Sequence, residues 1–165
     1  MDGNLKKFVP SSVCLKCEGC CRFSDAQSLW RPLVTEQEAQ RLAADPHEIL
    51  FQGRLKTITR GETPHCCFLD HQTNACTVYS RRPFECRLYP FILRQDNRGP
   101  HLAVHLLCPF VEKNRRSPDF EAYLDYLKEF FGRAEIRGFL KRNPRFFGAY
   151  PRQDEELEFL FSIPL

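Results

Sequence analysis

Nine cysteines are the residues best suited to chemistry in this 165-residue chain. Four of them stand within eight positions, in the run CLKCEGCC at residues 14–21. Thiolates are soft ligands that suit zinc and iron–sulfur clusters. So many cysteines in a short stretch could also form disulfides or a reactive thiol pair. Features elsewhere in the sequence distinguish these alternatives from a metal site.

The remainder of the sequence disfavours disulfides. The first ten residues, MDGNLKKFVP, contain no apolar run typical of a signal peptide. No stretch approaches the roughly 20 apolar residues of a membrane helix. We therefore expect a soluble cytoplasmic protein with no membrane partner, in a compartment that keeps thiols reduced. An odd number of cysteines also fits poorly with a complete disulfide framework.

Charge and motifs exclude several classes of function. Twenty-four basic and 21 acidic residues give a net charge of +3, which is too balanced to indicate a nucleic-acid partner. The chain lacks G-x-G-x-x-G, Walker A, H-E-x-x-H and G-x-S-x-G motifs. Nothing therefore marks a nucleotide site or a hydrolase triad.

The spacing of the first three cysteines indicates a metal site. Cys14, Cys17 and Cys20 follow the C-x2-C-x2-C pattern of ferredoxin-type loops, in which two-residue gaps let a tight turn aim three sulfurs at one cluster. This pattern favours an iron–sulfur cluster over zinc, although zinc takes the same thiolates. The fourth ligand then comes from elsewhere in the chain.

The adjacent pair Cys20 and Cys21 is harder to place on one metal. Their Cα atoms are about 3.8 Å apart, and in an extended segment their side chains diverge. Either each thiol serves a different centre or one of them is not a ligand. Nine cysteines permit two centres without requiring them.

The blocks CLKCEGCC, CCFLD, CTVYSRRPFECRLYPF and a late CP resemble the CxxCxxCC cysteine-cluster proteins, the YkgJ family of zinc- or iron-chelating domains. The resemblance runs from about residue 14 to residue 108. It implies a set of eight metal-ligating cysteines: Cys14, Cys17, Cys20, Cys21, Cys66, Cys76, Cys86 and Cys108. Cys67 falls in a variable slot of the pattern and is expected to be a small buried residue.

The resemblance leaves both the metal and the activity open. Relatives include flagellin lysine-N-methylases, for which an iron–sulfur cluster is implied, so a redox or protein-methylation role is one expectation, with an unknown protein as partner or substrate. The alternative is a structural zinc-binding interaction or regulatory module without catalysis.

Two arginines flank Cys86. Arg82 and Arg87 are predicted cofactor-binding residues, because guanidinium groups stabilise an anionic thiolate cluster or hold an anionic substrate. Salt bridges to Glu85 or Glu62 are the alternative. His65, His101 and His105 lie near cysteines in sequence, but a lone strand histidine is more often hydrogen-bonded or exposed than a ligand.

The patterns of apolar residues predict an α+β fold. Thr35 and Glu38 form a capping box before a helix over about 36–45, and residues 66–79 and 90–108 read as two β-hairpins. Ser117 and Pro118 start a helix with an aromatic stripe, Gly132 caps its end, and a second helix covers about 134–142. Residues 10–22 read as a loop, and the tail from Gln153 as one more turn of helix.

The sequence therefore predicts a single domain over 1–165. Its metal-binding part is expected over 8–110 and a helical part over 111–165.

Overall fold

A computed structural model describes residues 5–17, 19–150 and 155–165. The chain forms two compact units. We call Pro10–Arg87 the thiol unit, and Met1–Val9 together with Leu88–Leu165 the sheet unit. The sequence-based division near residue 110 stays a prediction. None of the described helices is both long and apolar enough to cross a membrane.

The thiol unit contains short helices and three antiparallel hairpins. Its helices are α1 (Ser11–Cys14), α2 (Glu36–Leu42) and α3 (Pro46–Ile49), followed by α4 (Phe84–Leu88). Its strands pair as β1 (Leu50–Phe51) with β2 (Arg54–Leu55), β3 (Thr57–Arg60) with β4 (Thr63–Cys66), and β5 (Leu69–Asp70) with β6 (Ala75–Cys76). The predicted loop over 10–22 is thus interrupted by one helical turn, α1.

The capping box before α2 is confirmed. The Thr35 hydroxyl accepts from the backbone N–H of Glu38 at 3.2 Å, and the Glu38 carboxylate accepts from the backbone N–H of Thr35 at 3.0 Å. The other Glu38 oxygen accepts from the N–H of Phe84 at 2.7 Å, which ties α2 to the first residue of α4. The helix ends at Leu42, earlier than predicted, because Asp45 caps the separate helix α3.

The hydrophobic core of the thiol unit is built by residues from helices, hairpins and loops. Its buried members are Phe23, Val34, Ala39, Leu42, Ile49, Leu55, Cys66 and Val78. Three further cysteines, Cys21, Cys67 and Cys76, pack against this core. The packing that stabilises the unit therefore also positions several of its thiols.

The sheet unit is organised around three antiparallel strands in the order β7 (Phe91–Asp96), β8 (Gly99–His105) and β9 (Leu157–Ser162). The predicted hairpin over 90–108 corresponds to β7 and β8 and is confirmed. The predicted final turn of helix is wrong, since residues 157–162 pair with β8 instead. Gln153 and Asp154, where that prediction begins, lie outside the described residues.

The helices of the sheet unit follow the sequence closely. They are α5 (Pro109–Asn114), α6 (Pro118–Gly132) and α7 (Ala134–Arg142). Ser117 caps α6 by accepting from the N–H of Phe120 at 3.2 Å, and the C-cap is Arg133 rather than Gly132. The buried stripe of α6 joins an aromatic cluster in which Phe8 lies 5.2–5.8 Å from its neighbours, measured between ring centroids: Phe91, Phe110, Phe120 and Tyr123.

Candidate metal centre

Seven cysteines of the thiol unit lie near one another, and each affects the pKa of at least one other thiol in the group. We call them the thiol cluster: Cys14, Cys20, Cys21, Cys66, Cys67, Cys76 and Cys86. All are free cysteines. The structure thus brings together six of the eight cysteines predicted as ligands, with Cys67 as an additional member.

Backbone pairing holds two cysteine-bearing segments side by side, residues 21–23 and strand β4. The N–H of Cys66 donates to the carbonyl of Cys21 at 2.9 Å, and the N–H of Phe23 donates to the carbonyl of Pro64 at 2.9 Å. Arg22 and His65 form the β-bridge between these two bonds. The segment after the cysteine run therefore continues the β3–β4 hairpin as a third, very short strand.

Short elements supply the remaining thiols of the cluster. Cys14 is the last residue of α1 and Cys76 the last of β6, while Cys86 lies in the middle of α4. The turn between β5 and β6 is stabilised by the Asp70 carboxylate, which accepts from the N–H groups of Gln72 and Thr73. The cluster therefore takes its thiols from elements that are far apart in the sequence.

Cys20 and Cys21 interact directly with each other. The thiol of Cys20 donates a hydrogen bond to the sulfur of Cys21, and this bond together with burial raises the pKa of Cys20 well above its usual value. The same bond, with the charges of Arg82 and Arg22, lowers the pKa of Cys21 to about 7. The divergence expected of an extended segment does not apply here, because the segment is a turn.

Cys66 and Cys67 form a second interacting pair. The Cys66 thiol keeps its proton in a hydrogen bond to Cys67, which raises the pKa of Cys66 and lowers that of Cys67. Cys66 is buried, whereas Cys67 is only half-buried. Cys67 is therefore a member of a thiol pair and not simply a small core residue.

Burial dominates at two of the remaining three thiols, Cys76 and Cys86. It raises the pKa of Cys76 and, more strongly, that of Cys86, and in both cases neighbouring thiols raise the pKa further. The charge of Arg82 acts in the opposite direction at both residues. A bound cation would act in the same sense as this arginine, because it also favours the thiolate form.

Arg82 is placed to compensate negative charge on the cluster. Its guanidinium donates to the sulfur of Cys14 at 3.4 Å and to the carbonyl of Tyr79 at 3.2 Å. The guanidinium carbon lies 3.9 Å from the centroid of the Tyr79 ring, within the range of a cation–π contact. Sequence reasoning identified Arg82 but missed Tyr79 as its platform and Arg22 as a second charge beside Cys21.

Three further residues singled out in the sequence lie in the thiol unit: Arg87, Glu85 and Cys17. Arg87 is half-buried on α4, one residue after Cys86. The Glu85 carboxylate accepts from the N–H of Leu33 at 2.6 Å. Cys17 is half-buried, and its sulfur accepts from the N–H of Gly19 at 3.3 Å. The roles of Arg87 and Cys17 at a metal stay predictions.

Cys108 belongs to the sheet unit, where it is buried as the N-cap residue of α5. Two histidines of that unit have ordinary partners. His101 lies 2.9 Å from the carbonyl of Gly99 through Nδ1, and His105 lies 3.1 Å from the Tyr89 hydroxyl, also through Nδ1.

The donor set of the thiol unit fits a thiophilic metal. Within residues 5–17, 19–150 and 155–165, no three Cys, His, Asp or Glu side chains stand in an arrangement that could hold an ion as they are. The cluster nevertheless supplies more than the four thiolates that zinc or an iron–sulfur centre uses. The two hydrogen-bonded pairs hold protons that metal binding would release, since thiolates are the ligating form.

Comparison with known proteins agrees with this donor set. The sequence model of the CxxCxxCC family, described as "Putative zinc- or iron-chelating domain", matches residues 13–117. An uncharacterized protein of Methanocaldococcus jannaschii is 34% identical over 94 residues, which cover 51% of this chain and 47% of the relative. The chain thus spans about half the length of that curated relative. No solved structure matches the present chain. Since the family match extends over more than half of the residues, this chain belongs to the CxxCxxCC family.

Proposed function

We propose that the thiol unit binds an iron–sulfur cluster through its cysteines and serves in a redox or protein-methylation reaction. The observation that supports this most is the convergence of more than four thiols beside the guanidinium of Arg82. An iron–sulfur cluster held by four thiolates is anionic and is stabilised by nearby positive charge. When bound, such a cluster supplies reversible one-electron transfer.

The residues of the chain have separate tasks in this proposal. Cys14, Cys20, Cys21, Cys76 and Cys86 are the central candidates for ligation, since each influences the ionisation of another member of this set. Arg82 compensates their charge, and Tyr79 holds Arg82 in place. A cytoplasmic location belongs to the proposal, because a reducing compartment keeps the thiols available.

A structural zinc site is the second candidate. It is favoured by the packing of Cys21, Cys66 and Cys76 in or against the hydrophobic core, where a bound ion would stabilise the fold directly. In that case the protein acts as an interaction or regulatory module without catalysis.

Anaerobic purification followed by elemental analysis distinguishes the two candidates. We expect iron and acid-labile sulfide in stoichiometric amounts, and a visible absorption that bleaches on reduction. A colourless protein with one equivalent of zinc and no iron or sulfide would sink the cluster proposal and support the zinc site. If neither metal binds, even after reconstitution, both candidates fail.

Two cysteine variants test the ligand assignment. Cys86→Ser should lose most of the metal, because the half-buried Cys86 is one of the central candidates for ligation. Cys67→Ser is the matched comparison and should lose less metal than Cys86→Ser, because Cys67 interacts with Cys66 and lies outside the five central candidates for ligation. Equal metal content in the two variants, measured on anaerobically purified protein, would contradict the assignment of Cys86.

A further inference from the structure

Four imidazole or guanidinium side chains of the thiol unit lie near one another beside the thiol cluster. We call them the basic cluster: Arg22, Arg60, His65 and His71. They come from three parts of the unit: the strand-like segment after the cysteine run, the β3–β4 hairpin, and the turn after β5.

The two histidines form the best-defined part of the basic cluster. Their rings meet edge to face, with centroids 4.5 Å apart and planes at 83°. His65 is held in register on both sides, by Ile58 of β3 and by Arg22. The position of its ring is therefore set by backbone pairing rather than by a flexible loop.

His65 also has a buried polar atom that nothing in the described chain satisfies. The residue is only 7% exposed, and among the described residues its Nδ1 atom has no hydrogen-bond partner. Most buried polar groups are hydrogen-bonded, and leaving one without a partner destabilises the folded state. A ligand that offers a hydrogen-bonding group at this nitrogen would offset part of that destabilisation.

The surrounding charges decide which kind of ligand fits. Arg22 and Arg60 carry permanent positive charges, and both raise the electrostatic potential at the His71 ring. Burial and these charges lower the pKa of His71, so a further positive charge is disfavoured there. The neighbouring Asp70 carboxylate already accepts two backbone N–H groups. Two imidazoles alone would suit a metal ion, but the arginines favour an anion instead.

The site has an accessible side and a link to the thiol cluster. Arg60 is exposed and His71 is half-buried. Arg22 donates to the side-chain oxygen of Asn74 at 2.7 Å, and its charge also lowers the pKa of Cys21. One guanidinium therefore influences both the basic cluster and the thiol cluster.

We propose that the basic cluster binds a small oxyanion, a phosphate or carboxylate group, next to the thiol cluster. Arg60 supplies charge at the exposed side, and guanidinium groups match the geometry of oxyanions. His65 supplies a hydrogen bond at the buried side. This site goes beyond the metal centre and does not require a bound metal.

Imidazole NMR spectra of the purified protein test the proposal. The protein is titrated at constant pH and ionic strength with inorganic phosphate and, separately, with acetate. We expect saturable shifts of the His65 and His71 ring signals with at least one anion, and the stronger binder identifies the preferred oxyanion. Arg60→Gln should weaken binding about tenfold, because it removes one charge-assisted hydrogen bond.

Arg81→Gln is the control, since it removes the same charge from an exposed arginine whose guanidinium donates to the carbonyl of Arg41. It should leave anion affinity unchanged. Absence of saturable shifts in the unsubstituted protein would overturn the proposal, as would equal weakening in the two variants. Shifts caused by Zn²⁺ but by neither anion would also overturn it. Metal content measured on the same samples tests the metal centre separately.

Discussion

Among single residues, Arg82 has the clearest role in the charge balance of the thiol cluster. It contacts Cys14 and stacks on Tyr79, and its charge favours ionisation of three other thiols: Cys21, Cys76 and Cys86. A thiolate site with several negative charges depends on such compensation. The arginine is thus expected to act on metal affinity through its charge.

Replacing Arg82 by Gln should weaken metal binding about tenfold, which is the lower range for loss of an outer-shell partner. Competition with a chelator measures this affinity. Arg82→Lys should restore part of it, because lysine keeps the charge but not the planar stacking on Tyr79. Arg81→Gln is the neighbouring control, and an equal loss of affinity there would show that only bulk charge matters.

Spacing within the sequence predicted Cys14 and Cys20 as ligands, and the resemblance to the CxxCxxCC family implied four more cysteines of the thiol cluster: Cys21, Cys66, Cys76 and Cys86. Arg82 was predicted from its position near Cys86 and from the charge of a thiolate cluster. Residue types and spacing could not identify the thiol pairs or the approach of Arg22, because these depend on turn geometry and on pairing between residues about 45 positions apart, as in the Arg22–His65 bridge. The interaction of Cys67 with Cys66 was not predicted either, because it also depends on local backbone geometry.

Among the elements, α2 has an influence beyond its length because Glu38 joins it to α4. Glu38 is 6% exposed, and its carboxylate accepts hydrogen bonds from the backbone N–H groups of Thr35 and Phe84. Cys86 follows Phe84 by two residues on the same helix, α4. The N-terminus of α2 therefore helps to position an element of the metal centre.

Thr35→Ala should lower the free energy of unfolding by about 1 kcal/mol, the usual cost of losing an N-cap side chain. Urea denaturation of the purified protein measures the change. Gln40→Ala lies on the exposed face of the same helix and should change stability little, since alanine is a better helix former. A loss in Thr35→Ala no larger than that in Gln40→Ala would contradict the capping role.

Tyr123 on α6 gives the sheet unit a dependence on alkaline pH. Burial raises the pKa of this phenol above its ordinary value near 10, and its hydroxyl donates to the carbonyl of Lys6 at 2.6 Å. The folded state therefore keeps a proton that the unfolded state releases above pH 10. The stabilisation from Tyr123 is complete below about pH 10 and is lost as the pH rises further.

Tyr123→Phe removes both the hydrogen bond and this titration. We expect the variant to be less stable by about 1 kcal/mol at neutral pH and the difference from the unsubstituted protein to shrink above about pH 10. Urea midpoints measured from pH 8 to 11 test this. A difference that stays constant across the range would show that Tyr123 does not titrate on unfolding.

Helices were easier to predict than strands, for reasons visible in particular residues. Thr35, Ser117 and Pro118 are local start signals, and the structure uses all three. Strand β9 follows an acidic stretch that resembles a helix start, but its conformation is fixed by pairing with β8. No signal within residues 157–162 reveals a partner more than 50 positions earlier.

At the scale of the whole molecule, the two units differ in how much of their order comes from packed side chains. The sheet unit has three paired strands and a set of interlocking aromatic rings. In the thiol unit, α1 has four residues and none of them is buried. The segment around α1 is thus the part most dependent on a bound metal for its order.

Removing the metal should expose this segment to protease first. We expect trypsin to cut after the exposed Lys16 soon after chelation, whereas the bonds after Lys128 of α6 and Lys141 of α7 stay protected. Mass spectrometry of the fragments over time identifies the order of cleavage. Early cleavage within α6 or α7, or an unchanged rate at Lys16, would contradict this expectation.

The backbone bonds between residues 21–23 and β4 have a kinetic consequence. They hold the backbones of Cys21 and Cys66 beside each other without the help of a bound ion. The entropy cost of bringing these two segments together is therefore met during folding and not during metal uptake. We therefore expect metal uptake by the folded protein to be faster than uptake by the unfolded chain, which has to form this pairing first.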